Sequence, residues 1–208
     1  MKKGIIFDLD GTLWDATENL IFPWNEILKN NNIDITLSHK DLMSFMGKTV
    51  SEIAEMIMPQ IEKEKRDKIA TECAFFGNDY LKTHGGKLYP DIEKVLESLK
   101  NDYHISIVSN CLDGYIQAFM GFHHLNKYFD DFECQRTGLT KGENIKLVIK
   151  RNSLDKAVYI GDTESDFVAA EFAESPFIHA AYGFGKVSES LPKINRFSEL
   201  KKAVGEIL

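Results

Sequence analysis

At 208 residues, 43% hydrophobic and 27% charged, the chain has an ordinary globular composition and enough length to bury one core plus a smaller inserted unit. A net charge of −7 argues against a nucleic-acid partner, and no apolar run approaches the roughly 20 residues that span a bilayer. Cys73, Cys111 and Cys134 are odd in number, widely spaced and never paired as C-x-x-C, which argues against a disulfide framework or a zinc site and points to a reducing cytoplasm.

The first element is a β-rich run over residues 4–8, in MKKGIIFDLDG. It meets acids at once and has no small-residue cleavage site, so it reads as a strand and not as a secretory signal. From about residue 16 to 83 the apolar periodicity is helical, predicting helices over 17–30, 38–46, 49–58 and 62–84. Breaks fall at Asn30 to Asn32, Gly47, Pro59 and His84-Gly85-Gly86. The basic residues of IEKEKRDK alternate with acids and read as a solvated helix face. Phe22, Trp24, Phe45, Phe75 and Phe76 have helical spacing and read as a cap core and its interface in preference to a substrate box.

After Gly86 the pattern alternates. Helices over 91–100, 114–122, 142–152 and 165–173 are each followed by a strand, over 103–109, 131–135, 157–162 and 177–181. Such alternation predicts right-handed βαβ units: an α/β fold with a doubly wound, Rossmann-like parallel sheet and an inserted all-helical cap. Residues 1–15 and 86–208 are expected to form the core domain and residues 16–85 the cap domain. The cap is expected to hinge around Leu13 to Thr17 and His84 to Tyr89, closing to exclude water.

Open parallel sheets bind ligands beyond the carboxyl ends of their strands. The residues at those ends are Asp8 and Asp10, then Ser109 and Asn110, then Asp162, Thr163 and Asp166. Four acids converging on one rim need a cation, and carboxylates without His or Cys are the ligand type of Mg²⁺. On their own, Ser109 and Asn110 read as a plain turn or cap, though they also offer a hydroxyl and N–H groups to an anion. Thr140 and Glu143 fit a capping box that puts Lys141 at the first helical position, facing the positive end of the dipole. Such a Lys either swings into water or is aimed inward at the acids. In GDTESD the two aspartates, Asp162 and Asp166, lie four apart and fit either the start of a helix or a functional pair, and Gly161 permits close backbone approach.

FDLDGT, VSN, the isolated Lys141 and GDTESD, in that order, resemble the four motifs of the haloacid dehalogenase superfamily. The helical insertion after the first motif resembles its helical-cap subfamily, with phosphoglycolate-phosphatase-like and β-phosphoglucomutase-like members. The resemblance implies a Mg²⁺-dependent phosphatase of a small phosphorylated metabolite, working through an aspartyl phosphate on Asp8. Asp10 would be general acid and base, with its main-chain carbonyl on the metal, and Thr12 would help position its carboxylate. Ser109 and the backbone at Asn110 would hold the phosphoryl oxygens, Lys141 would neutralise charge, and Asp162 and Asp166 would complete the metal site with Asp8.

Members of the superfamily that act on halides or phosphonates lack the second aspartate, so Asp10 argues against both. Lys48, after Gly47 in the cap loop, reads either as a contact to an anionic substrate or as a surface lysine. Hexose phosphomutases carry a His in the register that holds Leu20 here, which leaves a phosphosugar mutase as the alternative reading. A catalytically idle phospholigand binder would be expected to lack a motif residue, and none is missing. Relatives often have Ala-Gly where this chain has Ala173-Glu174, which affects only a helix end. No nucleic acid or membrane partner is expected, and the sequence leaves monomer or homodimer open.

Overall fold

The computed structural model describes residues 1–188 and 190–208. Its main sheet has six parallel strands: β1 (Lys3–Phe7), β4 (His104–Val108), β5 (Asp131–Glu133), β6 (Lys156–Gly161), β7 (Phe177–Ala180) and β8 (Lys193–Ile194). Their spatial order is β5-β4-β1-β6-β7-β8. A separate antiparallel ribbon pairs β2 (Trp14–Asp15) with β3 (Lys87–Leu88).

The central strands are apolar on both faces because helices cover both. Along β1, Ile5 and Phe7 join one buried cluster while Ile6 joins the other, and along β6 Val158 and Ile160 alternate with Ala157 and Tyr159 in the same way. That two-residue alternation is the pleat read out as two cores. The face of Ile6 and Tyr159 is covered by α7 (Lys141–Arg151) and α8 (Glu164–Phe172), which supply Ile145, Val148, Ala169 and Ala170. The other face meets α5 (Ile92–Leu99), α6 (Tyr115–Phe122) and α9 (Leu200–Ile207), through residues such as Leu96, Ile116 and Val204.

Four helices lie between β2 and β3: α1 (Thr17–Asn30), α2 (His39–Phe45), α3 (Val50–Ile57) and α4 (Lys63–His84). α2 and α3 start at capping boxes, Ser38 with Asp41 and Thr49 with Glu52. The turn into β3 needs glycine: Gly85 has φ +63°, and a Cβ on Gly86 would stand 2.7 Å from the Trp14 ring and 2.9 Å from the Asp15 carbonyl. No helix among the described residues is long and apolar enough to cross a membrane.

The expected alternation is observed, with helix and strand ends displaced by a residue or two. The ribbon β2–β3, the sixth strand β8 and the terminal helix α9 were not expected. The aromatic residues of the insertion also divide differently from the expectation. Trp24 and Phe45 are buried, whereas Phe22, Phe75 and Phe76 are exposed because they lie on the outer faces of α1 and α4.

From β1 the chain passes through the inserted helices to β4 on one side, continues outward to β5, and then crosses to β6 on the other side. β1 is therefore flanked by strands reached in opposite directions. The carboxyl end of β1 is the switch point where such sheets form a crevice.

Candidate active site

Asp8 follows β1 at that switch point and is buried, its backbone N–H donating to the Ile160 carbonyl at 2.8 Å. Lys141, the first residue of α7 behind a Thr140/Glu143 capping box, turns inward and not into solvent. Its Nζ donates to Asp8 Oδ1 at 3.0 Å and to Asp166 Oδ1 at 2.6 Å. Burial favours the neutral amine, but the charges of Asp166 and Asp8 outweigh it and hold the group protonated.

Asp162 follows β6, and its Oδ2 accepts from the backbone N–H groups of Phe184 and Gly185 at 2.8 and 3.0 Å. Asp166 closes the capping box at the start of α8, its Oδ2 accepting from Thr163 N and Oγ1 at 3.0 and 2.7 Å. Its other oxygen goes to Lys141, so this acid serves helix start and site together. Two glycines make room for the acids. A Cβ on Gly161 would stand 2.5 Å from Asp166 Cβ, and one on Gly11, at φ +79°, would stand 2.3 Å from Asp162 Oδ2.

The donor set fits a hard divalent cation. Asp8, Asp162 and Asp166 each offer a carboxylate oxygen within 4.8 Å of the others, and all three residues are buried. Asp162 Oδ1 is buried with no hydrogen-bond partner among the described residues. Three carboxylates against one ammonium leave negative charge unbalanced, which is the deficit such an ion fills. Burial, then the charges of Asp166 and Asp8, push the Asp162 carboxyl well above the usual range. Asp8 is likewise pushed up, by burial and by Asp166, with Lys141 pulling against them.

Asp10 occupies a different environment. Its Oδ1 accepts from the Tyr115 hydroxyl at 2.8 Å, and its carboxyl is pushed up to about 7, mainly by burial, with the Tyr115 bond opposing and the Asp8 charge adding to the rise. The hydroxyl that holds Asp10 is thus Tyr115's. Thr12 Oγ1, expected in that role, is buried without a hydrogen-bond partner, and the Thr12 carbonyl accepts from the Tyr182 hydroxyl at 2.7 Å.

A cavity of about 70 Å³ lies between this floor and the inserted helices. Asp8, Asp10, Ser109 and Asn110 line it from the sheet, and Lys48 lines it from the α2–α3 loop, exposed at its rim. Asn110 Nδ2 donates to the Gly47 carbonyl at 3.0 Å, bonding that loop to the end of β4. Gly47, at φ +78°, brings the same loop against Thr163 and Ser165.

The site thus brings together Asp8, Lys141, Asp162 and Asp166 in one cluster and Asp10, Ser109, Asn110 and Lys48 around one cavity. Sequence reasoning missed Tyr115, Tyr182 and the Phe184-Gly185 amides. The loop Ala181 to Gly185 follows a strand, so the carboxyl-end rule that found the acids reaches it too. Tyr115 had no such signal, since its partner is 105 positions away.

The profile of the haloacid dehalogenase-like hydrolases matches residues 5–180 of this chain. A phosphoglycolate phosphatase of Aquifex aeolicus is 26% identical over 206 residues, covering 95% of this chain and 94% of that one. The pyrophosphatase PpaX of Listeria welshimeri is 26% identical over 180 residues, covering 82% and 79%. Among solved structures, that of a predicted phosphatase from Clostridium acetobutylicum superposes with a TM-score of 0.81 at 26% identity over 100% of both chains. β-Phosphoglucomutase from Clostridium difficile shares the fold, with a TM-score of 0.75 at 17% identity over 99% of this chain and 98% of that one.

Proposed function

The chain belongs to the haloacid dehalogenase-like hydrolase family, and we propose that within it the protein is a Mg²⁺-dependent phosphatase of a small phosphorylated metabolite. The observation that carries this reading is the divergence of two acids two residues apart: Asp8 is bonded to Lys141, and Asp10 to Tyr115 on the floor of the same cavity.

Asp8 attacks phosphorus with a carboxylate oxygen, the bond to the leaving oxygen breaks, and Asp10 gives that oxygen its proton. Water then attacks the aspartyl phosphate, Asp10 takes back a proton, and phosphate leaves with Asp8 restored. An acid held to about 7 is suited to both directions of that transfer. Lys141 neutralises charge between nucleophile and phosphoryl oxygens, while Ser109 and the Asn110 backbone hold those oxygens. Asp8, Asp162, Asp166 and the Asp10 carbonyl would hold Mg²⁺, which supplies Lewis-acid neutralisation of the transferring group when bound. Leu20, on the cavity wall, offers no imidazole to relay protons, which favours hydrolysis over a mutase.

The reading includes the division into a core of residues 1–15 and 86–208 and a cap of residues 16–85 that hinges at the β2–β3 ribbon. The names of the relatives, phosphoglycolate phosphatase and pyrophosphatase, agree on hydrolytic release of phosphate and differ in what is attached to it. Asp8→Asn is expected to abolish Mg²⁺-dependent phosphate release from acetyl phosphate, and retained turnover would refute the assignment.

A further inference from the structure

The cavity wall opposite the acids is apolar. Leu20 and Trp24 of α1, Phe45 and Met46 at the end of α2, and Val50 and Ile53 of α3 form it. Three of the polar side chains around the cavity already hold partners. Asn78 Nδ2 donates to the Asp113 carbonyl at 3.1 Å, Asn110 Nδ2 to the Gly47 carbonyl at 3.0 Å, and the Tyr115 hydroxyl to Asp10 at 2.8 Å. Beyond Asp8 and Asp10, the charged side chain among the described lining residues is Lys48, which is exposed at the rim.

A volume of about 70 Å³ has room for on the order of five water-sized positions. Laid against the apolar wall, a sugar or polyol would lose water from its hydroxyls with few partners in return, and a carboxylate pressed there, away from Lys48 at the rim, would be desolvated against aliphatic groups. Apolar carbon would instead be taken out of water at no polar loss.

We propose that the leaving group is a compact, uncharged, largely apolar alcohol. The protein then selects phosphate monoesters of short branched alkyl alcohols over those of polyols or hydroxy acids. This rests on the phosphatase reading above and names its substrate class. It also separates this chain from what the name phosphoglycolate phosphatase says of its relative, since phosphoglycolate would set a carboxylate against this wall.

The test is kcat/KM for phosphate release by the full chain in Mg²⁺ with four substrates: the acyl phosphate acetyl phosphate and the three monoesters isobutyl phosphate, glycerol 3-phosphate and 2-phosphoglycolate. Isobutyl phosphate is expected to exceed the last two by about tenfold or more, the scale on which apolar pockets discriminate. A smaller ratio with acetyl phosphate still hydrolysed overturns the substrate class alone. No release from any of the four overturns the phosphatase reading itself. Ile53→Asn, which adds an amide to the wall, is expected to lower the isobutyl-to-glycerol ratio at least about fivefold. The nearly isosteric Val50→Thr should lower it in the same direction and replaces the Asn variant if that fails to fold. An unchanged ratio in a folded variant means that the wall does not set the preference and overturns the proposal.

Discussion

Two groups of acids sit on the same sheet with cations beside them. At the switch point, Asp8, Asp162 and Asp166 share Lys141. On the outer strand β5, Asp131 and Glu133 share Arg136 and Arg151: Arg151 forks onto Asp131 at 2.6 and 2.7 Å and reaches Glu133 at 2.6 Å, while Arg136 Nε bonds Glu133 at 2.8 Å. Burial opposes ionisation in both groups. At the edge the guanidinium bonds outweigh it and hold Asp131 and Glu133 below the usual range, whereas at the switch point Asp8 and Asp162 are pushed above it. The difference is charge balance. Two guanidiniums complete the edge group as a structural lock, while one ammonium leaves the switch point short of positive charge, ready for a metal and a phosphoryl group.

Removing the single ammonium breaks the comparison most severely. Lys141→Met is expected to lower kcat about 10²–10³-fold, the usual loss when one preorganised charge-stabilising group is deleted. Steady-state phosphate release from acetyl phosphate measures it, and a loss under tenfold would move the neutralising role elsewhere.

The metal deficit is open to a test without turnover. Mg²⁺ at about 100 times its Kd stabilises a folded chain by about 2.7 kcal/mol. For a protein of this size that is a Tm rise of roughly 5–10 °C. Asp162→Asn should lose this rise in a thermal melt. In EDTA it should melt at or above the wild type, because it removes a buried carboxylate whose Oδ1 has no partner. An undiminished Mg²⁺ response would exclude Asp162 as a ligand.

Much of the switch point was legible in the sequence because its residues are tied to local signals. Asp8 follows an apolar strand, Lys141 follows an N-cap, and Asp166 closes a capping box, so strand ends gathered them into one set, while the resemblance was needed to choose the functional reading over a plain helix start. The ribbon β2–β3 and strand β8 are two residues long each, too short to carry any periodicity. The wall of the cavity was illegible for another reason. Leu20, Trp24 and Ile53 have the same helical spacing as residues buried in the cap core, and only the packing of α1 and α3 over the sheet turns them toward the acids. Tyr115 reads as one more apolar residue at a helix start until its hydroxyl meets Asp10.

Tyr115 gives a smaller effect that sharpens the picture within the site. Tyr115→Phe keeps the ring against Trp14, centroids 5.5 Å apart, and deletes only the hydroxyl. A hydrogen bond to a charged group contributes about 1.5–3 kcal/mol, so a loss of at least roughly tenfold in kcat is expected. Thr12→Val, which removes a hydroxyl with no partner, should change kcat by less than about threefold if Tyr115 alone positions Asp10. Equal losses in the two variants would restore Thr12 to the role that the resemblance implied.

The smallest effect comes from the edge group, and its sign is opposite to that of the switch point. Asp131 and Glu133 have depressed folded pKa values, so their stabilisation is present above the unfolded values of roughly 4 and is lost as pH falls through the folded ones. Asp8 and Asp162 are raised and Asp10 is held to about 7, so in EDTA the chain binds protons more readily folded than unfolded and gains stability as pH falls from about 7 toward 5. Tm measured against pH in EDTA should therefore climb and then drop, with a limb for each group. Arg151→Ala should lower Tm slightly near pH 6, by an amount equivalent to less than about 1 kcal/mol for so exposed a guanidinium, and the gap to the wild type should close as pH approaches 3. Asp162→Asn should flatten the upper limb and leave the lower one in place. A gap that stays constant in Arg151→Ala, or an upper limb unchanged in Asp162→Asn, would show that the two groups of acids do not differ in the balance of charge around them.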